Sequence, residues 1–171
     1  MTLKISLPTE FTQFHTLLAI STPLKDYRLV HAINENLLLS LKRIDDFPYY
    51  VSEDKGFEHY PMFHGEDEFY RTNYFLFTNK IDGGILIPQW ARMDYLFLFG
   101  GDVSSEQVNN ITQKIRRINN VLMVSTVELA KVKNIELIFS DLEMHMTELN
   151  RKAKEQRNEL RYKAPVFSNQ N

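Results

Sequence analysis

The sequence predicts an α+β protein. Two helices cover one face of a mainly antiparallel β-sheet in a two-layer arrangement, and an extended amphipathic C-terminal helix follows. Three observations carry this. Aromatic-rich β-type runs, such as FYRTNYFLFTNK at residues 69–80 and MDYLFLF at 93–99, fill the middle of the chain between short turn signals. Two stretches, at 23–38 and after 104, space apolar residues by threes and fours. From residue 139 the same spacing recurs through a segment without glycine or proline. The expected division is an α+β domain over 1–139, a coiled-coil-like helix over 140–163 and a disordered tail over 164–171.

The elements follow in order. HTLLAI at 15–20 is short and apolar and ends in STP, the pattern of a buried strand. Thr22 offers an N-cap and Pro23 a first helical position. The helix over 23–38 would lay Tyr27, Val30, Ile33, Leu37 and Leu38 on the sheet. Residues 40–47 alternate as a strand does, and 49–55 read as a polar connection. FEHYPMFH at 57–64 is a strand in which Pro61 signals an edge or a bulge. GEDE at 65–68 reads as a turn, and the long run at 69–80 as the next strand. DGG at 82–84 marks a hairpin, with ILI at 85–87 and the run at 93–99 continuing an antiparallel meander. Ser104 and Gln107 form a capping box ahead of a helix whose apolar face is Val108, Ile111, Ile115 and Ile118. Asn119-Asn120 stops it, and VLMVSTV at 121–127 closes the sheet.

Composition narrows the function classes. The 171 residues carry a formal net charge of −2, which predicts no bulk attraction to nucleic acid or anionic membrane. Cysteine is absent, so disulfides, thiol nucleophiles and thiolate metal sites are excluded, and a reducing cytoplasm suits the chain. The N-terminal segment MTLKISLPTEFTQF lacks a secretory h-region, and no run approaches the length of a membrane span. Neither a phosphate-cradling GxxxxGK[ST] or GxGxxG nor a GxSxG elbow occurs. The histidines, His15, His31, His59, His64 and His145, form no HExxH or HxH, and His59 and His64 fall on opposite faces of one regular strand. They read as surface or interface residues, because a metal site needs three or four converging ligands. The acidic GEDE run and Asp45-Asp46 read as solvated carboxylates. No cofactor, metal or catalytic group is expected.

The stretch IPQWARMDYLFLFGG (87–101) raises the sharpest question about chemistry. Pro88 ends one strand and the chain re-enters the sheet at Met93. Alternation would then align Met93, Tyr95, Phe97 and Phe99 on one face and Asp94, Leu96 and Leu98 on the other. Asp94 so placed needs a partner. As a general acid or base it would lack a second catalytic group at a telling spacing. As a brace it would accept bonds from backbone N–H groups or from Arg28. Trp90 reads as a cap on a core edge or a partner contact, with a ligand platform as the other reading. The string IPQWARMDY resembles the signature of the IPExxxVDY family, small bacterial proteins named after it. Ile87, Pro88, Asp94 and Tyr95 match, while Gln89 stands for the family glutamate and Met93 for its valine. The stretch over 21–47 resembles the family's first helix and following strand, notably at Asp26, Tyr27, Arg28, Leu29 and Asn34. The resemblance covers about residues 10–139 and brings no activity with it. Since an amide cannot replace a catalytic acid, Gln89 favours a structural signature.

The tail is the most informative segment. Phe139, Leu142, Met146, Leu149, Ala153, Gln156 and Leu160 are an a/d seam about three heptads long. Isolated helices of that length are marginal in water, so the seam should lie on its own domain, a second copy or another protein. The helix is expected to start at Ser140 or Asp141, or earlier near Asn134. Arg151, Lys152, Lys154, Arg157, Arg161 and Lys163 outnumber Glu155 and Glu159 in 151–163. A basic helix end suits a solvated face, an acidic protein partner or RNA phosphates. Aromatic interleaving for base stacking is confined to Tyr162. The expected function is therefore a non-catalytic interaction or adaptor subunit of a bacterial complex. It would use the seam to bind a protein partner or form a homodimer, without entering a membrane. RNA or ribosome association through the basic end is the second reading. A small-ligand module or enzyme at Asp94, Tyr95 and Trp90 is the third.

Overall fold

The computed structural model describes residues 15–68, 71–101 and 103–163, the last three of them by backbone alone. Along these the chain forms β1 (His15–Ser21), α1 (Asp26–Leu37), β2 (Lys42–Ser52), β3 (Gly56–Asp67), β4 (Thr72–Thr78), β5 (Lys80–Ile81), β6 (Gly84–Ile85), β7 (Tyr95–Gly100), α2 (Ser105–Arg116), β8 (Met123–Val127) and α3 (Ile135–Lys163). Six strands make one sheet in the order β2-β3-β4-β7-β1-β8, antiparallel at every pairing, and β5 and β6 pair apart as a small ribbon. The α+β class, the antiparallel sheet, the two helices on one face and the long C-terminal helix are as the sequence predicts. α1 and α2 lay Leu29, Val30, Ile33, Ile115 and Ile118 against the face bearing Leu18, Ile20, Tyr95, Phe97 and Phe99. The other face, with Leu17, Ala19, Leu96 and Leu98, is covered by Ile135, Ile138, Phe139 and Leu142 from the first turns of α3. A strand covered on both faces has no polar side, which is why YLFLF of β7 reads as an unbroken apolar run.

Several element boundaries differ from those the sequence suggested. Thr22 caps no helix: its hydroxyl donates to the Asn120 carbonyl at 2.8 Å and accepts from the Leu24 N–H at 3.1 Å, tying the end of β1 to the turn after α2. α1 therefore starts at Asp26. Its buried stripe is Leu29, Val30 and Ile33, while Tyr27 is 61% and Leu38 88% exposed. β2 runs on through Tyr49–Tyr50 to Ser52, so the expected polar connection shrinks to the turn before Gly56. β3 continues through Gly65, Glu66 and Asp67, which removes the expected turn there. Pro61 sits in an interior strand, and the bulge it signalled lies on its neighbour. The pairing passes from Ile44↔Met62 to Phe47↔Tyr60, leaving Asp45-Asp46 opposite Pro61. A residue with no N–H to give is tolerated where the ladder is already interrupted.

The run expected from 69 resolves into β4 from Thr72; Phe69 and Tyr70 lie outside the described residues. Ile85–Leu86–Ile87 do not join the sheet as a strand: only Ile85 is paired, within the ribbon. The meander is real for β2, β3 and β4, but β1 inserts between β7 and β8. Met93 precedes β7 and packs with Leu96 and Leu98, contrary to strict alternation. The capping box of α2 is present, with Ser104 Oγ accepting from the Gln107 N–H at 3.2 Å and Gln107 Oε1 from the Ser104 N–H at 2.8 Å. β8 starts at Met123, two residues later than expected. α3 starts at Ile135, after Asn134 in the left-handed region, and its first two turns belong to the core of the body. The expected division at 139/140 therefore cuts a continuous helix. The expected tail over 164–171 lies outside the described residues.

Candidate functional site

Two surfaces carry the residues singled out by the sequence. The first is the signature loop between β4 and β7. Its organiser is Asn79, a fully buried polar side chain. Asn79 Nδ2 donates to the carbonyls of Trp90 and Met93, both at 3.0 Å, and Oδ1 accepts the Ile87 N–H at 3.0 Å. Its backbone adds bonds from Asn79 N–H to the Asp94 carbonyl and from the Leu86 N–H to the Asn79 carbonyl, each 2.9 Å. One amide thus pins both limbs of the loop. Ile87 is buried, Pro88 opens a single 3₁₀ turn, and Trp90 packs half-buried on the core edge, the capping role expected of it. Sequence reasoning missed Asn79; its only sign was an amide at the end of the aromatic run YFLFTNK.

Asp94 joins this loop to β1. Oδ2 accepts from the Thr22 N–H at 2.9 Å and from Ser21 Oγ at 3.3 Å, and Oδ1 takes the Lys80 ammonium at 2.8 Å. The expected arginine partner is wrong: Arg28 is exposed on α1, and the cation is Lys80, delivered by β5. Each oxygen is committed to an element that the fold must hold in place, the arrangement of a brace. The Tyr95 hydroxyl donates to the Leu24 carbonyl at 2.8 Å, and burial, with Asp26 and Asp94 nearby, pushes its pKa up to about 12. Ile87, Pro88, Asp94 and Tyr95 are thus brought together by the loop, and Arg28 is not among them.

The second surface is α3. Phe139 and Leu142 of the seam are buried on the sheet, Met146 and Leu149 are half-buried, and every residue from Arg151 to Leu160 is exposed. The stripe that packs the first turns therefore continues past the end of its own sheet, carrying Ala153 and a Leu160 that is 70% exposed. His145 steadies the crossing, its Nε2 3.1 Å from the Asp45 carbonyl at the β2 bulge and its ring edge-on to Phe47. Beyond that point α3 is braced along its own surface. Arg151 bonds Glu148 at 2.6 and 3.0 Å and Glu155 at 2.5 Å, which holds the Glu148 carboxyl below its usual range and the guanidinium above its own. Of the basic residues, Arg151, Lys154, Arg157 and Arg161 fall on one side of the helix by register, whereas Lys152 does not.

Beside the stripe lies a groove of about 590 Å³ between α3 and the end of the sheet, with His15, His64, Glu66, Phe75 and Met146 on its walls. His15 stacks on Phe139 at 5.0 Å, and His64 stacks on Phe75 at 4.8 Å with Nε2 2.9 Å from Asn73 Oδ1. No local pattern signals that these two histidines share a groove, because they meet only through the pairing of β1, β7, β4 and β3. Among the described residues, no group of three or more His, Asp or Glu is placed to hold a metal, and no helix is long and apolar enough to cross a membrane. No protein-family model and no curated protein matches the chain.

Proposed function

We propose that this chain is a non-catalytic interaction protein, an adaptor whose α+β body holds α3 out for docking to a partner. One observation carries the reading: a single stripe is buried from Ile135 to Leu142, half-buried at Met146 and Leu149, and then runs on, exposed, to Leu160. An exposed helical extension gains little from its own propensity, and a stripe aligned with the packed one suits a second surface. The commitments of Asp94, Tyr95 and Trp90 support a structural role for the signature residues. The string that resembles the IPExxxVDY signature fits that reading, since in this chain it lies in a loop fastened to the fold. Full-length protein and its Leu160→Asp variant would be compared by affinity capture and amide exchange. The expected result is an unchanged Tm, loss of bound partner, and protection of 151–160 only in the assembled wild type. An identical partner set and identical exchange in the two proteins would overturn it.

The alignment of Lys154, Arg157 and Arg161 along one side of the helix favours a second reading, contact with RNA phosphates. It requires binding that weakens steeply with salt and with reversal of Lys154 and Arg157. Co-sedimentation with ribosomes that ignores both would dispose of it.

A further inference from the structure

We infer that the partner of α3 is a second copy of this chain, its outer half lying antiparallel along the first copy's stripe; this rests on the docking reading above. The ground is a charge division along the helix. From Ile135 to Asn150 it carries Glu136, Asp141, Glu143 and Glu148 and no lysine or arginine. From Arg151 to Lys163 it carries six basic residues against Glu155 and Glu159. Complementing the helix dipole needs only the first and last turns. Here the acids reach to mid-helix and the bases begin at the next turn. Parallel pairing would set like charges side by side, whereas antiparallel pairing sets each basic half against an acidic half, twice over by symmetry.

The seam fixes a register. With Leu149 against the second copy's Ala153, Leu160 arrives level with Leu142 and Met146 at the mouth of the groove. Arg157 comes level with His145, two residues from Glu143, which holds the same flanking position of the heptad. Glu143 also lines the groove, and both side chains are exposed and available. The contact is self-complementary: each chain gives a basic, leucine-tipped helix end and receives one beside Glu143 at the groove, which Arg71 also lines.

The test uses the full chain. Sedimentation equilibrium should show a monomer–dimer equilibrium that weakens with salt. Leu160→Asp should abolish it, and Arg157→Glu should weaken it about tenfold. Combining Arg157→Glu with Glu143→Arg should restore it. Because the chain has no cysteine, Glu143→Cys and Arg157→Cys proteins are clean probes. Mixed, they should form a 143–157 disulfide faster than either links to itself. A monomer at all concentrations, self-linking through position 157, or failure of the double reversal to restore the dimer would overturn the proposal. If the chain stays monomeric while 151–160 gains protection from a different protein, the second copy is ruled out and the docking reading stands. If 151–160 gains protection nowhere, both fall.

Discussion

Replacing Asn79 by alanine tests whether one buried amide holds the signature loop. The substitution leaves the Ile87 N–H and the Met93 carbonyl without partners in a buried setting, while the Trp90 carbonyl keeps the Met93 N–H at 2.9 Å. A buried polar group stripped of its partner costs about 1–3 kcal/mol, so the expected loss for two is about 2–6 kcal/mol. In a chain of this size that lowers Tm by roughly 5–20 °C. The assay is urea unfolding followed by far-ultraviolet circular dichroism and by fluorescence of Trp90, the single tryptophan, which sits on the loop itself. Fluorescence should change in the native baseline before global unfolding, as the loop loosens first. Asn79→Asp keeps an acceptor for the Ile87 N–H but turns a charge toward two carbonyls. Burial raises the carboxyl's folded pKa above its unfolded value, so this variant should regain stability as the pH falls. A loss for Asn79→Ala of less than about 1 kcal/mol would refute the reasoning, since it would mean that water replaces the bonds to both the Ile87 N–H and the Met93 carbonyl.

Three other outcomes are expected. Asp94→Asn keeps an acceptor for the Thr22 N–H and should cost about 1 kcal/mol or less, whereas Asp94→Ala should cost about 2 kcal/mol in denaturant titration; equal costs would contradict the brace. Leu38→Gly should stabilise by about 0.5–1 kcal/mol, because Leu38 ends α1 at φ 56° with its side chain in solvent, a conformation glycine adopts freely; a loss in thermal unfolding would contradict this. The folded pKa of Tyr95 is raised to about 12, above the unfolded value near 10, so its contribution is complete below about pH 10 and is lost as the pH climbs toward 12. Tyr95→Phe should flatten that alkaline decline, read from unfolding midpoints across the range, and an unchanged slope would count against it.

Much of the fold was legible because it rests on local periodicity. The capping box at Ser104 and Gln107, the two-residue hairpin turn at Asp82-Gly83 and the seam of α3 all follow from side chains within a turn or two of one another. Errors arose where distant groups decided. Thr22 lost its cap role to the Asn120 carbonyl, 98 positions away, and Asp94 found Lys80 because β5 folds back toward the loop. Pro61 announced a bulge, but only strand pairing placed it on β2.

By itself the sequence determined that helices would pack on an antiparallel sheet and that the C-terminal helix would carry an apolar stripe with a basic end, since both are written in spacings of two to four residues. The tertiary structure alone decided that the stripe begins inside the core and outruns the sheet at about Leu149. How far a helix is covered depends on the width of the sheet beneath it, which strand order and register set, and no local pattern along the helix encodes that width.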